Sequence, residues 1–156
     1  MSDKYTIIRD TREHDDKGWL FATSRHCAGT EVSKLDTGDY SIKGMEDILC
    51  IERKGSTSEF ARNITENRFE KELQRMREFK YSYIILEFNM SDLIDYPDGS
   101  GIPYNKRKFL KFRGPFVLKR LIELSLLYPT KILLCGDRGK EVASSIFKRV
   151  MEIEQA

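Results

Sequence analysis

The sequence predicts an α/β protein with a central mixed β-sheet flanked by helices. Three observations predict it. Six short runs, 5–9, 30–35, 38–42, 47–54, 81–88 and 131–135, carry the β-branched, aliphatic or alternating pattern of strands. Apolar residues recur at helical spacing over 56–80, and further helical stretches cover 115–127 and the C-terminal segment. Strands come first, and helix and strand then alternate, an order that builds a sheet with helices on its faces.

Each element follows from local chemistry. "YTIIR" (5–9) is a short buried strand, and "DTREHDDKG" (10–18) is a polar loop closed by Gly18. "WLFATS" (19–24) opens a short helix, and "TEVSKL" (30–35) alternates like a strand. "GDYSI" (38–42) and "DILCIERK" (47–54) flank "KGME", which makes a β-hairpin with a glycine-containing turn. Phe60, Ile64, Phe69, Leu73 and Met76 mark the apolar side of helical segment 56–80, with Ser56, Thr57 or Ser58 as its N-cap. "YSYIILEF" (81–88) is the strongest strand signal. Clusters of Asp, Pro, Gly and Asn make 89–112 a long loop or a small insertion. A helix over 115–127, a strand over 131–135 and a final helix over 136–156 complete one domain spanning 1–156.

Composition narrows the function classes only a little. Of 156 residues, 40% are hydrophobic and 33% charged, but 27 Lys+Arg nearly balance 25 Asp+Glu. A net charge of +2 does not announce nucleic acid, so any electrostatic case rests on clustering. Cys27, Cys50 and Cys135 are dispersed, odd in number and lack metal-ligand spacing. They read as reduced, mostly buried thiols of an intracellular protein. "MSDKYTIIRD" is no secretory leader and no apolar run reaches membrane length, so a cytoplasmic or nucleoid-associated protein, neither secreted nor membrane-bound, is expected.

The chemistry concentrates at the end of strand 47–54. Side chains alternate along a strand, so Ile48, Cys50, Glu52 and Lys54 share one face and Leu49, Ile51 and Arg53 the other. Both faces begin apolar, which marks a central strand, and both end charged. A hairpin pairing 43 with 48 pairs 39 with 52, and so sets Asp39 opposite Glu52 with Lys54 next along. Like charges so placed destabilise a sheet unless a cation lies between them. With a divalent ion held by Asp39 and Glu52, and Lys54 beside the attacking water, the set suits metal-assisted phosphodiester hydrolysis. The plain alternative is a surface pair, Glu52 with Lys54 or Asp39.

Five stretches occur in order: "IIRDTRE" (7–13), "LDTGDYSI" (35–42), "CIERKGSTSEF" (50–60), "ENRFEKELQRM" (66–76) and "YSYIILEF" (81–88). The series resembles the XPF-type nuclease domain of the PD-(D/E)XK superfamily, whose fold is restriction-endonuclease-like. The resemblance implies that Asp39 and Glu52 bind Mg²⁺ or Mn²⁺ and that Lys54 acts near the water. It implies that Asp10 and Glu13 extend the metal or water site, and that Arg53 and Arg68 support the site or hold phosphate. The family usually carries Asp after E-R-K and its spacer; here Ser58 stands at that distance and Glu59 follows one residue later. The implied activity is endonucleolytic cleavage of branched, flapped or forked DNA near a single-strand to double-strand junction, in repair or recombination. A homodimer is expected because nuclease domains of this family commonly pair. The alternative is a non-catalytic DNA-binding or partner-docking subunit with a nuclease-like fold.

Further basic residues point to a DNA path. Arg12 and Arg53 are phosphate-holding or ion-paired arginines. "YNKRKFLKFRGPFVLKR" (104–120) sets Lys106, Arg107, Lys108, Lys111 and Arg113 among Tyr104, Phe109 and Phe112. It reads as a phosphate-tracking strip with stacking options, or as an exposed basic loop. Arg62, Arg68, Lys71, Arg75 and Arg77 are offset by Glu66, Glu70, Glu72 and Glu78, as helical i,i+4 pairs. His14 reads as a solvated loop residue, Trp19 as packing, and 135–140 as a plain αβ turn.

Overall fold

In a computed structural model, which describes residues 4–13 and 17–156, six strands join one sheet. They are β1 (Tyr5–Arg9), β2 (Cys27–Val32), β3 (Tyr40–Ile42), β4 (Leu49–Lys54), β5 (Tyr81–Leu86) and β6 (Lys131–Leu134). Their spatial order is β2-β1-β3-β4-β5-β6. β3 runs antiparallel to both β1 and β4, while the β1–β2, β4–β5 and β5–β6 pairs are parallel. The mixed sheet follows from the connections. A short turn joins β3 to β4, whereas parallel neighbours need a crossover. α1 (Thr57–Asn63) and α2 (Asn67–Met76) carry the chain from β4 to β5; α3 (Met90–Asp95) and α4 (Gly114–Leu127) carry it to β6. α5 (Gly139–Gln155) ends the chain.

Two apolar layers sandwich the sheet. On one face Cys50, Ile84 and Leu86 pack against Phe60, Phe69, Leu73 and Met76 of α1 and α2 and Val117 of α4. On the other, Leu49, Ile51 and Ile85 pack against Phe147 and Val150 of α5, together with Trp19 and Phe21. β4 is thus apolar on both faces and lies between β3 and β5, as a central strand should. Among the described residues no helix is long and apolar enough to cross a membrane.

The structure corrects several sequence-based expectations. Residues 19–24 form no helix. The Trp19 N–H donates to the Tyr40 hydroxyl at 2.6 Å and the Phe21 N–H to Thr30 Oγ1 at 2.7 Å, so this segment lies flat on the sheet. The strand expected over 30–35 is β2, which starts earlier and stops at Val32; the Leu35 N–H turns instead to Asp10 Oδ1 at 2.7 Å. The helical stretch 56–80 is two helices, because Glu66 takes an extended backbone (ψ 141°). The 89–112 segment is an insertion with structure, holding α3 and a 3-10 helix over Tyr104–Phe109. His14 lies outside the described residues.

Ser56 caps α1, its hydroxyl accepting the Glu59 N–H at 3.1 Å. Ser56→Ala is expected to lower stability by about 1 kcal/mol, measured by chemical denaturation.

Candidate active site

β3 and β4 set the centre of the site. Tyr40 pairs with Ile51, which continues to Asp39 opposite Glu52. The main chain carries that register one step on, where the Asp39 N–H donates to the Ile51 carbonyl at 2.8 Å. The Asp39 carboxylate then curls onto the end of β4 and accepts the Arg53 N–H at 2.8 Å. Asp39, Glu52 and Lys54 line one cleft of about 240 Å³, closed on its far side by Asn63, Glu66, Phe69 and Glu72. Arg12, Arg68 and Arg75 also border it.

Glu52 and Lys54 are largely out of water, and Asp39 is half-buried. Glu52 is 8% exposed and Lys54 7%. Lys54 Nζ stands 3.5 Å from Glu52 Oε1, donates to Asn63 Oδ1 at 3.3 Å, and lies 5.7 Å from the centre of the Phe69 ring. Burial, and next the Glu13 charge, push the Asp39 carboxyl up to about 7, against the opposing pull of the Arg53 N–H, a hydrogen bond with Glu52 and the charge of Lys54. Burial pushes Glu52 well above the ordinary carboxylate range, with Asp39 and then Glu72 adding to it. Burial opposes the charge on Lys54, but Glu52, Glu72, Glu59 and Asp39 together raise its pKa.

The remaining expected site residues divide. Asp10 is fully buried, with one oxygen bound by the Leu35 N–H at 2.7 Å and the other by the Arg12 N–H at 3.1 Å and the Arg12 side chain. Burial raises its pKa, but these donors outweigh it and leave the carboxyl below its usual range. Asp10 therefore fastens Arg12 and the turn at Leu35 and does not line the cleft. Glu13 accepts from the Tyr40 hydroxyl at 2.8 Å and from Arg53 Nη1 at 3.3 Å. Arg53 also pairs with Glu87 and sits 5.6 Å over the Trp19 ring. This cluster occupies the α5 side of the sheet, as strand alternation requires, and neither Glu13 nor Arg53 lines the cleft. Glu59 accepts the Gly55 N–H at 3.3 Å and so tightens the start of α1. Arg68 is 79% exposed and pairs with Glu66 at 3.2 Å. In the strip, Arg107 is tied to Asp98, while Lys106, Lys108, Lys111 and Arg113 are exposed.

Asn63, Glu72 and Arg75 are cleft residues that the sequence pattern does not single out. In sequence, Glu72 and Arg75 look like helical surface charges; their flanking of the buried Phe69, Leu73 and Met76 is the signal that places them against the sheet. A larger, mostly apolar cavity of about 600 Å³ between α5 and β1 holds no paired carboxylates and is separate from the site.

The donor set suits a hard divalent cation. Four acidic side chains, Asp39, Glu52, Glu66 and Glu72, line one small polar cleft, and such ions take one or two carboxylates with waters and phosphate oxygens. Among the described residues no group of three or more His, Cys, Asp or Glu side chains is arranged to hold a metal ion, and Asp39 and Glu52 are two carboxyl groups on facing segments that line the same cleft.

Comparison with known proteins places the fold. No curated protein matches the sequence at a significant level. Solved structures that match in fold include two of XPF from Aeropyrum pernix. XPF from Aeropyrum pernix is 16% identical with a TM-score of 0.59, over 94% of this chain and 61% of that one. XPF from Aeropyrum pernix in complex with DNA is 17% identical with a TM-score of 0.60, over 96% of this chain and 66% of that one. The chain therefore spans less than two thirds of the length of the structures it matches. The sheet with its flanking helices is that of the XPF nuclease, restriction-endonuclease-like fold. A family model, the ERCC4 domain, matches residues 9–147, and the chain belongs to the ERCC4 domain family.

Proposed function

We propose that this chain is a divalent-metal-dependent endodeoxyribonuclease that hydrolyses phosphodiester bonds in branched, flapped or forked DNA, with 1–156 acting as one nuclease domain. The carrying observation is that Asp39, Glu52 and Lys54 line one cleft, with Lys54 Nζ at 3.5 Å from Glu52 and with Arg12, Arg68 and Arg75 on its border. A DNA substrate is supported by the structural relative from Aeropyrum pernix that was solved in complex with DNA.

Asp39 and Glu52 would hold Mg²⁺ or Mn²⁺. When bound, such an ion polarises the phosphoryl oxygen and lowers the pKa of a water. Asp39, braced on the Arg53 N–H, fixes one ligand position; Glu52, flanked by Glu72, fixes the other. Lys54, steadied by Asn63, offers its N–H donors to the attacking water or to charge developing on the phosphate. Arg12, Arg68 and Arg75 meet the backbone phosphates at the mouth, and the exposed cations of 106–113 extend the path. Exposed Ile122, Leu126 and Leu127 on α4 give the homodimer common in this family an apolar surface to cover.

Duplex, flap, fork and four-way-junction DNA, incubated with Mg²⁺, with Mn²⁺ or with chelator, test the reading. Wild type is expected to cut the branched substrates only with metal, and Lys54→Ala to cut them about 10²-fold more slowly. Binding with no cutting of any substrate would identify a non-catalytic DNA-binding subunit instead.

A further inference from the structure

A second groove lies directly beside the cleft. It runs between α1 and the 102–112 segment and encloses about 350 Å³, within the range of small-ligand pockets. Its floor is apolar, made by Ala61, Ile102, Leu110 and Phe112, and Phe112 is held in place by stacking on Phe116 at 4.2 Å. Its rim carries Arg62 and Lys111, and Phe109 stands over it 76% exposed. Tyr104, in the same 3-10 helix, is 85% exposed. Burying neither ring leaves two large aromatic faces in water, each beside a cation: Lys108 lies 5.2 Å from the Phe109 ring and Arg107 5.4 Å from the Tyr104 ring. Among the described residues Arg62, Lys106, Lys111 and Arg113 form no ion pair, so their charge is available to an anion.

The groove and the cleft share one short piece of chain. Asn63 and Glu66 line the cleft; Arg62 and Thr65 line the groove. Neighbouring residues are about 3.8 Å apart at Cα, so the two openings are divided by little more than the α1–α2 link. An apolar slot with an aromatic lid and cationic rim matches a planar base on a phosphodiester chain, because every base offers a π-face and every link a charge.

We propose that this groove holds one unpaired nucleobase of the substrate strand next to the phosphate bound in the cleft, stacked on Phe109, with Arg62 and Lys111 on the adjoining phosphates. The proposal rests on the reading of the cleft as a phosphodiester site. It makes the 102–112 segment the element that distinguishes a strand with an unpaired base from a continuous duplex.

The test is a binding measurement in chelator, so that no step depends on cleavage. A DNA hairpin with a single-stranded extension carries 2-aminopurine at its first unpaired position, and its fluorescence is expected to be quenched on binding. Phe109→Ala is expected to weaken affinity for this DNA about 5- to 150-fold, the range for loss of one base–aromatic stack. An abasic residue at the same position should weaken wild-type binding by a similar factor, with Phe109→Ala adding no further loss. Affinity for a blunt hairpin should not change in Phe109→Ala. Equal wild-type affinity for the abasic and intact extensions, or an equal Phe109→Ala loss on blunt and extended DNA, overturns the proposal. The outcome separates from that of the nuclease reading: a protein that quenches the base but cuts nothing refutes catalysis alone, and one that cuts without discriminating the base refutes the groove alone.

Discussion

Asp39→Asn is expected to slow DNA cleavage by about 10³-fold while DNA binding persists. Asparagine has nearly the same shape, and its carbonyl oxygen still accepts the Arg53 N–H that Asp39 now accepts at 2.8 Å. The end of β4 therefore keeps its geometry. What disappears is one of the acids that line the cleft, and with it one anionic ligand. Burial raises the pKa of the Asp39 carboxyl, so its ionised form costs free energy at neutral pH, and a neutral amide makes the variant as stable as wild type or more so, by up to about 1 kcal/mol. Calorimetric titration with Mn²⁺ in the absence of DNA should show binding to wild type and its loss in Asp39→Asn. A variant that cuts at the wild-type rate would mean that the acid pair does not carry the reaction.

Gly38→Ala is expected to cost about 2–4 kcal/mol in stability and to lower cleavage by about 10². Gly38 has φ +84°, where an L-residue is strained, and a Cβ there would stand 2.5 Å from Cys50 Sγ and 3.2 Å from the Ile51 carbonyl oxygen. The thiol can rotate, but the carbonyl accepts the Asp39 N–H and is fixed in the pairing of β3 with β4. The displacement therefore falls on Asp39, the next residue. Gly44→Ala is the control: φ is +90° but no atom lies within 4 Å, so only the backbone strain of about 1–2 kcal/mol should appear, with activity retained. Thermal unfolding and cleavage assays on both variants separate strain from displacement. Equal activity in the two would show that crowding around Gly38 does not position the acid.

The hairpin and its acids are legible in the sequence because strand alternation is local. Apolar residues on both faces of 48–51 mark β4 as central, and the expected 39–52 register is the one that the Tyr40–Ile51 pair extends. The same alternation separates Arg53 from Glu52, and the structure sends Arg53 to Glu13 and Glu87 on the opposite face. What the sequence hides depends on distant partners. Trp19 and Phe21 carry helical-looking neighbours, but their N–H groups reach Tyr40 and Thr30. β2 is displaced because the β1–β2 register slips beside Tyr5 and Gly29 takes φ +114°, an irregularity that an alternating template cannot register. Glu72 and Arg75 carry charges that a helix can pair internally, so their charge pattern does not distinguish solvent from the cleft, and only their place beside Phe69, Leu73 and Met76 does.

The break between α1 and α2 constrains how the chain can vary in length. An α-helix turns once every 3.6 residues, so one residue added at the link would rotate α2 by about 100° or push it along its axis. Phe69 would leave the apolar layer, and Glu72 and Arg75 would swing away from the acids of β4. At Gly99 and Gly101 the loop has room on its outer side, since a Cβ at either position would meet nothing within 4 Å. Insertions and deletions should therefore accumulate at the tip of that loop among homologues, while the spacing from Asn63 to Phe69 stays constant.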